Sequence, residues 1–99
     1  MNKDEEMRLS AIQKDVLFIL YAIEQKGNSK PVPSVVVWNM INKSRTSDVF
    51  DTNFRASCHK LSEHKMIDKY RSHSLKLAWS LSELGRNKAA EIYRARINT

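Results

Sequence analysis

The chain has 99 residues, of which 41% are apolar and 28% are charged, and it contains two glycines and two prolines. This size suits one domain with a modest core, and so few glycines exclude a glycine-rich nucleotide cradle. With one cysteine, the chain cannot form an intramolecular disulfide. The first residues are charged, which argues against a signal peptide. No apolar run approaches the ~20 residues that cross a bilayer, which argues against a membrane span. We therefore expect a cytoplasmic protein with no membrane partner.

The net charge of +6 is concentrated in one segment of the chain. Residues 52–76 hold six Lys or Arg against two acidic residues, and they also hold all three histidines. Such a basic stretch suggests a polyanionic partner. The competing interpretation is a solvated face that keeps the protein soluble.

The first predicted element is a helix that begins after Ser10 and ends at Gly27. Ser10 and Gln13 have the spacing of a capping box, and glycine commonly follows the last turn of a helix. Residues 1–9 are expected to be a flexible lead-in, and residues 10–99 to form one domain. The predicted core face consists of Ile12, Val16, Ile19, Leu20 and Ile23, which recur at helical spacing.

Two further helices are predicted after a stub of extended chain at Pro31 and Pro33. Ser34 is expected to cap a helix over 35–43, although its three consecutive valines also fit a strand. The predicted core face of this helix is Val35, Val37, Trp38 and Ile41. Asp51 or Thr52 is expected to cap the third helix, which runs to about His64 with Phe54, Cys58 and Leu61 facing inward.

A hairpin and a last helix complete the predicted order. Residues 66–71 and 75–81 form its strands, and in the second Leu75, Leu77, Trp79 and Leu81 alternate with smaller or polar residues. Ser82 caps a helix over 83–97. Its predicted inner side is Leu84, Ala89, Ile92 or Tyr93, and Ile97. The fold class is α+β and mainly helical.

Two segments resemble the winged-helix class of helix-turn-helix DNA-binding proteins. Residues 54–67, FRASCHKLSEHKMI, resemble a recognition helix and its link into a wing, and residues 79–86, WSLSELGR, resemble the segment that closes the wing in MarR- and PadR-like regulators. The resemblance implies three helices, a wing sheet of two or three strands and a C-terminal helix. The link over 42–50 departs from it, because it is longer than the usual turn of three or four residues.

The resemblance implies a DNA site on the third helix and on the wing. On the helix, Arg and Asn can read guanine and adenine, and a small residue permits close approach to a thymine methyl group. The predicted helix residues are Thr52, Asn53, Arg55, Ala56, His59 and Lys60. The predicted wing residues, which would position the protein on the backbone, are Arg71, Ser72, His73, Ser74 and Lys76.

Each of these residues also has an interpretation without DNA. Arg55 and Lys60 fit ordinary solvated charges, Thr52 and Asn53 fit capping residues, and His59 and His73 fit surface histidines. Trp38, Trp79 and Cys58 are expected in the core. The scattered Cys and His residues do not suggest a metal site, and we expect no cofactor, no enzymatic activity and no small-molecule effector.

The expected function is sequence-specific binding of double-stranded DNA on the nucleoid by a homodimer that regulates transcription. A dimer reads more base pairs than a lone domain does. The expected dimer interface consists of Phe18, Tyr21, Ile92 and Tyr93. The alternatives are a plasmid- or phage-type DNA-binding protein of replication or partition, and a winged helix that serves only as a protein-interaction module.

Overall fold

The computed structural model describes residues 8–74 and 76–98. Its elements, in chain order, are α1 (Ala11–Gln25), β1 (Val32–Pro33), α2 (Ser34–Lys43), α3 (Asp51–Glu63), β2 (Ile67–Arg71), β3 (Leu77–Leu81) and α4 (Glu83–Ile97). This is the predicted order. Residues 1–7 of the predicted lead-in and Leu75, the first residue of the predicted second strand, lie outside the described residues.

Helix α1 is closed at both ends by its own sequence. The Ser10 hydroxyl accepts a hydrogen bond from the Gln13 amide at 3.1 Å, and the Gln13 side chain accepts one from the Ser10 amide at 2.8 Å. Gly27 takes a φ of +100° after the last turn, where the amides of Gly27 and Asn28 donate to the carbonyls of Glu24 and Ile23. The capping box and the glycine stop are both confirmed.

The core lies where α1, α2, α3 and the sheet meet. Ile12 and Ile23 pack at its margin, so the predicted face of α1 is correct except that it omitted the fully buried Leu17. The largest fully buried side chains are Trp79, Phe54, Leu17, Leu20, Ile41, Leu61, Met66 and Ile67.

The predicted start of α2 is wrong by one residue. Ser34 is the first residue of the helix rather than its cap, and its hydroxyl accepts a hydrogen bond from the indole nitrogen of Trp79 at 3.2 Å. The N-cap is Pro33. Val35, predicted to be in the core, is 55% exposed, whereas Val37 and Ile41 are fully buried.

The predicted cap of α3 and part of the predicted inner face of α4 also need correction, whereas the bounds of α4 and its Ser82 cap are confirmed. Asp51 and Thr52 lie in the first turn of α3, and the N-cap is Phe50, which has no polar side-chain group to offer. Ala89 of α4 is buried as predicted, but Leu84 and Ile97 are 50% and 57% exposed, and the unpredicted Gly85 is buried against the body. Gly85 lies so close to the Met66 carbonyl that an added Cβ atom would overlap it.

The sheet has the order β1-β3-β2, with both pairs antiparallel. Trp79 at the centre of β3 pairs with Val32 of β1 on one side and with Lys69 of β2 on the other. The β2–β3 loop is closed by hydrogen bonds in which the Ser72 amide donates to the Lys76 carbonyl and the Lys76 amide donates to the Ser72 hydroxyl.

Candidate nucleic-acid interface

Helix α3 has one buried stripe and a wide exposed face. Phe54, Cys58 and Leu61 form the stripe. At 3.6 residues per turn, the predicted site residues spread over the remaining surface. Thr52 and Ala56 lie opposite the stripe, Asn53 and Lys60 lie on one flank, and Arg55 and His59 lie on the other. All of them are exposed except His59, which is half-buried.

His59 is half-buried because it packs against the sheet. Its imidazole makes a T-shaped contact with the Trp79 indole, with the ring centroids 5.7 Å apart and the ring planes at 81°. Trp79 is almost fully buried. The contact shows that the Arg55 and His59 flank of α3 is the flank that faces the sheet.

The sheet register turns two cations toward the same side as Trp79. Paired residues of an antiparallel sheet project from the same face. Lys69 pairs with Trp79, and Arg71 pairs with Leu77, so both cations project from the face that carries the His59 contact. Both are exposed. Sequence reasoning missed Lys69, although its spacing of two residues from the inward-facing Ile67 was a usable signal.

The loop between β2 and β3 keeps its polar groups in solvent. Ser72, His73, Ser74 and Lys76 are exposed, and the hydroxyls of Ser72 and Ser74 lie 3.0 Å apart within hydrogen-bonding distance. This loop therefore presents hydroxyl, imidazole and ammonium groups at the end of the hairpin. Phosphate oxygens are natural partners for such groups.

Arg55 has a weak partner. Its Nε atom lies 3.2 Å from Oδ2 of Asp51, one turn earlier, with the two side chains 65% and 49% exposed. Surface ion pairs of this spacing are worth only about 0.3–0.5 kcal/mol. Arg55 can therefore leave Asp51 for another acceptor at little cost.

The long link between α2 and α3 is packed against the body. The Trp38 indole nitrogen donates to the Val49 carbonyl, and the Val49 amide donates to the Asn42 side-chain oxygen, both at 2.8 Å. Val49 itself is buried. The link thus fixes the start of α3 despite its unusual length.

Several solved structures share this architecture. A variant of Lactococcus lactis ZitR, the adhesin competence repressor AdcR of Streptococcus pyogenes, and MepR, a transcription regulator of the Staphylococcus aureus multidrug efflux pump MepA, each superpose with a TM-score of 0.71. Their sequence identities to this chain are 16%, 14% and 14%, over 93%, 97% and 97% of its length. The chain has a winged-helix fold.

The likeness is one of fold and not of sequence. This winged helix spans 56%, 63% and 64% of the lengths of those three proteins, respectively. No protein-family model and no curated protein sequence matches the chain. The third helix and the hairpin of β2 and β3 follow one another in the order that the resemblance implied for a winged helix.

Cys58 lies on the inner side of α3, as predicted. Burial raises the pKa of its thiol to about 12, because a thiolate would lack hydration there. The thiol therefore stays protonated at neutral pH, which disfavours both metal binding and nucleophilic attack. Residues 8–74 and 76–98 contain no group of three or more His, Cys, Asp or Glu that could hold a metal ion.

The aromatic residues predicted for a dimer interface come together between α1 and α4. Tyr93 stacks on Phe18 at 5.4 Å and contacts Tyr21 at 5.2 Å between ring centroids, and the Arg96 guanidinium lies 4.8 Å from the centre of the Phe18 ring. Ile92 packs partly buried nearby against the core. These contacts lie within one chain, and the side chains keep part of their surface exposed.

In the part of the chain that the structure describes, no helix combines the length and the apolar character needed to cross a membrane.

Proposed function

We propose that this winged helix binds double-stranded DNA sequence-specifically and regulates transcription. In this proposal the protein is cytoplasmic and associated with the nucleoid. The observation that carries the proposal is the pairing of Lys69 with Trp79, which turns the cationic side of the wing toward the flank of α3 that holds Arg55 and His59. An exposed helix face bordered by cations suits the major groove, where each base pair presents a distinct pattern of donors and acceptors.

The first turns of α3 carry the base-reading groups in this proposal. Arg55 can bond O6 and N7 of guanine together, Asn53 can bond N6 and N7 of adenine, and Ala56 allows contact with a thymine methyl group. Glu63 is exposed near the end of the helix, where its charge repels phosphate. The duplex is therefore centred on the first half of α3.

The wing supplies backbone contacts. Lys69, Arg71 and Lys76 neutralise phosphates, and His73 and the two serines of the loop donate hydrogen bonds. These contacts fix the position of the protein on the duplex and carry no sequence information directly. They account for the concentration of positive charge in residues 52–76.

Regulation of transcription is favoured by the names of proteins with a similar structure. AdcR is a repressor and MepR is a transcription regulator by name. A homodimer joined through α1 and α4, with Phe18, Tyr21, Ile92 and Tyr93 at its centre, would place two recognition helices over a palindrome and supply the affinity that a specific site requires. No small-molecule effector forms part of the proposal.

Selection of bound sequences from a pool of random duplexes tests the proposal. We expect enrichment of one palindromic motif, and a footprint that covers a single isolated site. Clustered, cooperatively filled sites would instead indicate a protein of replication or partition. Binding without any enrichment would refute sequence specificity, and the absence of binding at low salt would leave only a protein-interaction module.

A further inference from the structure

A groove of 520 Å³ runs between the start of α1 and the recognition helix. Arg8 and Ser10 line it on the α1 side, and Ala56, Ser57 and Lys60 line it on the α3 side. Arg8 and Lys60 are both exposed. Ala56 and Lys60 on the α3 side of the groove were predicted site residues, whereas Arg8, Ser10 and Ser57 were not.

The groove lies on the flank of α3 away from the wing. His59 marks the wing flank through its contact with Trp79, and Lys60, the next residue of the helix, lines the groove on the other flank. Ala56 belongs both to the groove and to the outward face. The face proposed to read bases is therefore bordered by the wing on one side and by the Arg8–Lys60 groove on the other.

The shape of the major groove determines which DNA backbone each flank of α3 can reach. The major groove is about 12 Å wide and is walled by the phosphate backbones of both strands, so a helix seated in it has one backbone on each side. The cations of the wing can reach only the nearer backbone. The farther backbone passes over the opposite flank of α3, where the groove opens.

The backbone next to Arg8 is anchored by the two residues that follow it. The next residue, Leu9, packs against the hydrophobic core, and Ser10 is fixed by the capping box of α1. The backbone that carries Arg8 is therefore anchored just beyond it, which lowers the entropy lost on binding. The residues that line the groove include no acidic side chain that would repel a phosphate.

We infer that the Arg8–Lys60 groove is a second phosphate-binding site, which holds the DNA strand farther from the wing. The inference rests on the proposed binding of DNA and extends it to a clamp on both strands, with the wing on one backbone and the groove on the other. Its partner is backbone phosphate, so it adds affinity without adding sequence preference.

The test measures how the binding constant for a random-sequence duplex falls with salt, for wild-type protein and for Arg8→Ala, Lys60→Ala and the double variant. Each lost phosphate contact lowers the logarithmic salt slope by about one, so we expect a loss of about one for each single variant and about two for the double variant. Arg8→Lys should retain the slope. Lys26→Ala, at the far end of α1, is the matched control and should leave it unchanged.

The outcomes separate this inference from the proposed function. If wild-type protein binds duplex DNA and Arg8→Ala leaves the slope unchanged, the groove holds no phosphate while DNA binding stands. If Arg8→Ala weakens binding only to selected sequences, Arg8 contacts bases and the phosphate assignment is wrong. If wild-type protein binds no duplex, the proposed function itself fails. Thermal unfolding confirms that each variant is folded.

Discussion

The T-shaped contact between His59 and Trp79 joins α3 to β3, the middle strand of the sheet. Trp79 also donates its indole hydrogen to Ser34 at the start of α2. One buried indole therefore sets the positions of two helices relative to the sheet. The arrangement of the candidate interface depends on this packing as much as on charge.

His59 should have two separable roles, one in packing and one in DNA binding. His59→Ala removes the ring contact and should lower the free energy of unfolding by about 1–2 kcal/mol, measured by urea titration. His59→Phe keeps an aromatic ring and should restore most of that loss, while removing any hydrogen bond to DNA. Equal stability of the Ala variant and wild type would show that the contact contributes nothing.

Lys69 should contribute to DNA binding through the face on which it lies. Lys69→Ala should reduce the salt slope of DNA binding by about one. The double variant Lys69→Ala/Tyr70→Lys keeps the net charge but moves the cation to the other face of the strand, where Tyr70 pairs with Ala78. It should not regain the lost slope. Recovery of the wild-type slope would show that charge alone matters and that the register does not.

Lys65 should be replaceable by glycine with a gain in stability. It follows α3 with a φ of 64°, and its amide and that of Met66 donate to the carbonyls of Ser62 and Leu61. A left-handed conformation costs an L-residue about 1–2 kcal/mol, and the greater freedom of unfolded glycine offsets part of this. We expect Lys65→Gly to raise the free energy of unfolding by about 0.5–1 kcal/mol.

Lys65→Ala is the matched control, because it removes the same charge and keeps the strained backbone. It should give no gain in the urea titration. If both variants change stability alike, the effect comes from the lost charge and not from backbone strain.

Asp15 should hold three parts of the fold together. Its carboxylate, whose side chain is only 14% exposed, accepts from the Arg45 guanidinium in the α2–α3 link and from the Arg96 guanidinium near the end of α4. Asp15→Asn removes the negative charge that both arginines contact, and it should lower the free energy of unfolding by about 1–2 kcal/mol. The loss is no larger because both arginines are partly exposed, and solvent screens the ion pairs. Exposed Asp48 provides a matched control in Asp48→Asn.

The effect of Asp15→Asn should also depend on salt. Screening weakens these ion pairs, so the difference from wild type should shrink in urea titrations at high ionic strength. A loss no larger than that of Asp48→Asn at low salt would show that the three-way ion pair is incidental.

The order of the elements could be predicted because local chemistry decides it. The capping box at Ser10, the alternation within β3 and the Ser82 hydroxyl, which accepts from the Gly85 amide at 3.0 Å, act over a few residues. The exposed face of α3 was predictable for the same reason. Once Phe54, Cys58 and Leu61 are buried, most of the remaining positions face outward, although His59 packs half-buried against Trp79.

The errors arise where contacts between distant residues decide the outcome. Leu84 is more apolar than Gly85, yet glycine faces the body because only a residue without a side chain fits against the Met66 carbonyl. The face on which Lys69 lies depends on the β2–β3 register, and the groove beside Arg8 depends on how α1 crosses α3. Hydrophobic periodicity contains none of this information.

The position of the DNA on the protein is tested most directly by backbone amide chemical shifts, recorded as isotope-labelled protein is titrated with a selected duplex. We predict that the largest changes fall on the first half of α3, on the wing from Lys69 to Lys76, and at Arg8. Amides at the far end of α1, near Lys26, should stay unchanged. Changes confined to other surfaces, with α3 unaffected, would contradict the account.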